Sequence, residues 1–119
     1  MNSKFNEVVI AAAVRTPIGT FKGSLKNIKA DQLGSIVIKE VINRANINSK
    51  DIDEEILGQV LTAGSGQNPA RQASINAGLP KSIPAYLVNQ VCGSGLRSVI
   101  LGFQTIKLNE AKYIISGGQ

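Results

Sequence analysis

The chain has 119 residues, 43% of them hydrophobic, and a formal net charge of +5 from 13 Lys and Arg against 8 Asp and Glu. That length and hydrophobic share fit one globular domain with a core of its own, which excludes a disordered tail or a fibrous repeat. With no histidine and a single cysteine, these residues by themselves exclude a zinc site, a serine triad and an internal disulfide.

The positive balance does not point to nucleic acid. Basic residues are spread along the chain, the closest grouping being Lys22, Lys26 and Lys29, and three Phe, two Tyr and no Trp leave little for a base-stacking platform. A phosphate-bearing small ligand suits the same charge. No apolar run approaches the ~20 residues of a membrane span. Residues 1–7 lack the apolar core of a secretory signal, so the expected location is cytoplasmic, with no membrane partner.

In chain order, Glu7-Val-Val-Ile-Ala-Ala-Ala-Val14 is a continuous apolar run, which predicts a strand covered on both faces and ended by Arg15-Thr-Pro17. A glycine- and lysine-bearing loop follows and leads to Asp31, a candidate N-cap. Leu33, Ile36, Val37, Val41 and Ala45 then recur at helical spacing, and the pattern fades over residues 46–48. Ile56-Leu-Gly-Gln-Val-Leu61 predicts a second strand. Asn68 as N-cap, Pro69 at the first helical position and Gly78 past the end predict a short helix over 69–77.

A rigid connector, residues 79–84, leads to a third strand over 85–91. Leu96, Val99, Ile100, Phe103 and Ile106 share one face of the next helix, and Leu101 and Leu108 lie off it, so this helix is apolar nearly all round and needs cover on more than one side. Residues 112–116 predict a fourth strand, with Gly117-Gly118 opening a turn. Alternating strands and helices argue a layered α/β domain with mostly parallel strands.

Cys92 sits where the third strand runs into Gly93-Ser-Gly-Leu96 and the long helix. A helix N-terminus presents unpaired N–H groups and the positive ends of the peptide dipoles, so it favours a thiolate over a thiol. Gly93 and Gly95 let a substrate carbonyl approach the backbone. A lone cysteine also fits a small buried hydrophobe, and both readings stand on the residues alone. Gly64-Ser-Gly66 lacks the full G-x-G-x-x-G pattern and a Walker lysine-serine pair, which favours a turn and helix cap over a phosphate loop.

Val91-Cys-Gly-Ser-Gly-Leu-Arg97 resembles the nucleophile motif of thiolases, specifically the acetyl-CoA acetyltransferase type. Residues 8–19, Ile56-Leu-Gly-Gln-Val-Leu61, Gly66-Gln-Asn-Pro-Ala-Arg-Gln-Ala73 and Gly117-Gly118 are similar to the family in order and spacing. The resemblance covers essentially the whole chain. It implies a thiolase-like layered α/β fold, with residues 1–119 an incomplete N-terminal domain whose mostly parallel, mixed sheet carries flanking helices. It makes Cys92 the residue that takes an acyl group as a thioester before condensation of two acetyl-CoA to acetoacetyl-CoA and CoA, or the reverse thiolysis.

The resemblance implies acetyl-CoA and CoA as substrates rather than cofactors, no metal, and a homodimer or homotetramer for the full-length protein. In that role the Cys92 N–H is expected to help hold the oxyanion, Gly93, Ser94 and Gly95 read as shape and helix start rather than chemistry, and Asn89, Gln90 and Arg97 read as structural or interfacial. The family also uses histidines and a second cysteine, which these 119 residues lack. The expectation is therefore an N-terminal portion that is inactive alone. The alternatives are a longer-chain 3-ketoacyl-CoA thiolase and a noncatalytic thiolase-fold subunit.

Overall fold

Glu54–Gly58 (β1), Ala85–Val88 (β2) and Ile114–Gly118 (β3) form a wholly parallel sheet in the order β2-β1-β3. The structure is a computed structural model and describes residues 7–119. Glu55 stands beside Ala85 on one neighbour and Ile115 on the other. Parallel strands need both faces covered, and three helices supply the cover: Ala30–Ala45 (α1), Pro69–Asn76 (α2) and Ser94–Lys107 (α3). Alternation along the strands turns Leu57 and Ile115 toward a cluster with Ile38 of α1 and Ala70 and Ala73 of α2, while Gly58 faces Ser94 and Gly95 at the start of α3. The expected layered α/β architecture is present. Among the described residues the sheet contains no antiparallel strand.

Helix α2 begins and ends as its sequence dictates. The Asn68 side chain accepts from the Arg71 N–H at 3.2 Å, Pro69 takes the first helical position, and Gly78 turns the chain at φ +86°. Helix α1 starts two residues earlier than the Asp31 cap would place it. Gln32 reaches back to accept from the Lys29 N–H at 2.9 Å, so Lys29 occupies the cap position and Asp31 lies in the first turn, where its charge suits the dipole. Its buried line is Gly34, Ser35 and Ile38 rather than the predicted stripe, and Ile36 is exposed. Asn46 ends it in the left-handed conformation.

The first predicted strand does not form. Residues 8–16 run without regular secondary structure and are largely exposed, along the rim of a cavity of about 1050 Å³ whose other walls come from α1, α3 and β3. A strand exists only by pairing, and that cavity lies between this segment and β3, so its apolar sequence finds no ladder to join. The second and third strands are shorter than predicted and β1 begins at Glu54. The fourth is shifted: Gly117 and Gly118 belong to β3, paired with Leu57 and Gly58, and open no turn.

Helix α3 meets the sheet through its smallest residues. Ser94, Ser98 and Gly102, spaced by four, are the residues buried against the sheet, while Leu96, Val99, Ile100 and Phe103 face outward. Small residues let the helix lie close to the strands. A Cβ on Gly58 would overlap the backbone of Ser94 and Gly95, and a Cβ on Gly118 would stand 3.5 Å from the Gly95 Cα. The sheet therefore grips the first turn of α3 through hydrogen and backbone rather than through large side chains.

The opposite face holds a polar surprise. Glu55 is 0% exposed, and neither its carboxyl oxygens nor the buried Ser74 hydroxyl has a hydrogen-bond partner. Burial pushes the carboxyl up to about 7 from its ordinary 4.5, against a smaller opposite pull from the nearby Ser74 hydroxyl and the Arg71 guanidinium. Ser74 acts on the carboxyl without meeting it in hydrogen-bond geometry. Arg71 is itself engaged with the Ile83 and Lys81 carbonyls, which limits its pull.

Candidate active site

The Cys92 side chain is exposed on a tight elbow between β2 and α3. The Asn89 and Ser94 side chains on either side of it serve the elbow. The Asn89 amide donates to the Val60 carbonyl at 3.1 Å, tying the exit of β2 to the exit of β1. Its carbonyl oxygen accepts from the Val91 N–H at 3.0 Å, a side-chain turn of the Asx kind. The Ser94 hydroxyl accepts from the Gln90 N–H at 2.9 Å and donates to the Val91 carbonyl at 2.6 Å. Backbone bonds from Gly93 to Gln90 and from Ser94 to Val91, at 3.0 and 3.1 Å, close the turn.

Val91 stands between those clamps at φ +49°, a left-handed conformation that costs a β-branched residue about 1–3 kcal/mol. Its side chain is 62% exposed, so burial of the isopropyl group does not offset that strain. The hydrogen bonds on both sides do. The elbow presents Cys92 immediately before Gly93, the cap of α3, where the first-turn N–H groups and the dipole favour negative charge. Cys92 and Val91 also line the large cavity, with Gln59 and Gln119 on its wall. Those two glutamines bond to each other at 2.9 Å, and Gln119 continues the β3 pairing through its N–H to the Gly58 carbonyl.

The Gly66-to-Ala73 stretch works as a staple at the start of β2. Asn68 donates to the Ala85 carbonyl at 2.9 Å, fixing the start of β2 to the start of α2. Gln72 donates to the Ser65 and Gln67 carbonyls at 2.9 and 2.8 Å, which shapes the loop containing Gly64 and Gly66. The turn-and-cap reading of Gly64-Ser-Gly66 therefore accounts for the geometry. Among the described residues no cluster of three metal-ligating side chains occurs. No helix there is long and apolar enough to cross a membrane.

The family model for the thiolase N-terminal domain matches residues 8–119. The chain belongs to the thiolase family. Curated relatives of this thiolase chain include acetyl-CoA acetyltransferases of Chromobacterium violaceum, 56% identical, and Paracoccus denitrificans, 53% identical, each over 113 residues that make up 95% of this chain and 29% of the relative. Its fold superposes on the Acat5 thiolase of Ascaris suum, solved in complex with coenzyme A, with a TM-score of 0.90 at 42% identity. It superposes on the Bacillus anthracis acetyl-CoA acetyltransferase with 0.89 at 35% identity. Both structural matches cover 92% of this chain and 28% of the other. The thiolase chain thus spans less than a third of the length of the relatives it matches.

Sequence reasoning located Cys92 and its elbow and passed over two features. The strain at Val91 carries no signal in a single sequence, because valine is a strand residue and reads as the end of β2. The clamp of Asn89 and Ser94 was legible only as turn-forming residue types on either side of Cys92.

Proposed function

We propose that the chain supplies the acyl-accepting segment of an acetyl-CoA acetyltransferase: Cys92 takes the acetyl group of acetyl-CoA as a thioester and passes it to a second acetyl-CoA. The observation that carries this reading is an exposed thiol held on a strained strand-to-helix elbow in a chain of the thiolase family. The Cys92 sulfur attacks the thioester carbonyl, the backbone N–H of Cys92 donates to the oxyanion, and the carbonyl–sulfur bond to CoA breaks as the proton lost by the Cys92 thiol goes to the departing CoA sulfur, leaving acetyl-cysteine and CoA. The names of the curated relatives support acetyl transfer, and the coenzyme A bound by the Ascaris suum thiolase supports a CoA thioester as substrate.

The second step needs a base to remove the α-proton of the incoming acetyl group, and no histidine or second cysteine exists among these 119 residues. Residues 1–119 alone are therefore expected to turn over no acetoacetyl-CoA. A chimera in which residues 8–119 replace the matching segment of the Chromobacterium violaceum enzyme tests the reading. It should cleave acetoacetyl-CoA with CoA in preference to a medium-chain 3-ketoacyl-CoA, and Cys92→Ala should abolish turnover. Equal or better use of the medium-chain substrate would favour a longer-chain thiolase. A folded chimera with no turnover on either would favour a noncatalytic subunit.

A further inference from the structure

We infer that Asn89 and Ser94 are positioning residues for Cys92, acting through the strained backbone of Val91. The inference rests on the reading of Cys92 as the nucleophile. Cys92 makes no side-chain hydrogen bond to any described residue, so its place is set by the backbone that carries it. That backbone is in a conformation Val91 does not choose, at φ +49°. Asn89 grips the Val91 N–H and Ser94 grips the Val91 carbonyl, so the two side chains hold both polar ends of the strained residue.

Each of the two is anchored elsewhere, so the clamp does not move with the turn. Asn89 is fastened to the Val60 carbonyl beyond β1. Ser94 is buried at the start of α3 against Gly58, and its hydroxyl also receives the Gln90 N–H. Release of either grip lets Val91 relax to negative φ, which re-aims the next residue, Cys92. Strain kept by over-determined contacts beside a reactive group is a device for holding geometry that the local sequence would not hold by itself.

The test measures alkylation of Cys92 by iodoacetamide in the 119-residue chain at fixed pH, followed by mass, with folding checked by urea titration. Asn89→Ala and Ser94→Ala should each slow alkylation about threefold, because the relaxed backbone no longer holds the thiol in its exposed position. Val91→Gly should alkylate at the parent rate, because glycine adopts positive φ without a clamp. In the Val91→Gly background, Ser94→Ala and Asn89→Ala should lose their effect.

Alkylation of the single variants at the parent rate would overturn the inference. So would a slow Ser94→Ala that Val91→Gly does not restore, since Ser94 would then act only by holding the start of α3. If Ser94→Ala alone fails to fold, recovery of folding in the double variant supports the clamp and continued unfolding overturns it for Ser94. Asn89→Ala, on an exposed side chain, gives the independent rate. Alkylation requires no acyl-CoA, so an absence of acetyl transfer to Cys92 would sink the nucleophile reading while leaving this pattern intact.

Discussion

Ile38 of α1 and Phe103 of α3 are large apolar side chains on helices belonging to the same small sheet, yet Ile38 is 1% exposed and Phe103 48%. On the side of α1 and α2, the core closes on itself: Ile38, Ala70, Ala73, Leu57 and Ile115 form one buried cluster with Ile52, Leu79 and Ile83 from the connecting loops. On the side of α3, small residues are buried and large ones are displayed, beside a cavity rimmed by an apolar segment that joins no sheet. The first side is where these residues obtain their stability. The second keeps the backbone of α3 close to the strands, and its start carries the Cys92 elbow.

This contrast breaks most sharply at Gly58. Its Cβ would overlap the backbone of Ser94 and Gly95, which cannot rotate away as a side chain can, so Gly58→Ala should cost more than the ~3 kcal/mol upper end of ordinary overpacking. Urea unfolding should show a loss of that size, accompanied by changed alkylation of Cys92. On the closed side, Ile38→Ala should cost about 4 kcal/mol by the same titration, since its surroundings are filled and a cavity remains. A cost below about 1 kcal/mol would mean that α1 is loosely held.

Glu55 sharpens the comparison through pH. Its folded-state value, about 7, lies above the ordinary 4.5, so the folded chain keeps a proton that the unfolded chain releases. The resulting stability is full below about pH 4.5 and is lost as pH rises through about 7, for a total of about 3 kcal/mol. Urea midpoints for the parent should fall across that window, and those of Glu55→Gln should stay flat by comparison. A parent whose stability rises from pH 4.5 to 7 would contradict the burial of this carboxyl. The smallest effect belongs to the open side: Phe103→Ser should change the urea midpoint by less than the equivalent of about 1 kcal/mol, because half of the ring is already in solvent.

The same division decides what the sequence made legible. Asn68, Pro69 and Gly78 announced α2 because capping is local chemistry, settled within a few residues. The Cys92 elbow was legible because a strand pattern, a cysteine and two glycines adjoin in sequence. Periodicity read α3 as apolar nearly all round and in need of cover on more than one side; it did not foresee that the face meeting the sheet is Ser94, Ser98 and Gly102, which close approach to Gly58 and Gly118 selects. Residues 8–14 carry the composition of a buried strand, but composition does not supply the neighbour that a ladder requires. Glu55 was hidden in the acidic run Asp53-Glu54-Glu55 just before the predicted second strand, since nothing local distinguishes the buried carboxyl from Glu54 beside it.

The central claim is that the elbow presents Cys92 as an acyl acceptor, and intact-protein mass after incubation with acetyl-CoA tests it most directly. The chimera carrying residues 8–119 should gain one acetyl group, located on the peptide that contains Cys92 and absent from its Cys92→Ala variant, while residues 1–119 alone should gain none. A folded chimera that remains unmodified, or one acetylated with Cys92 replaced, would contradict the account.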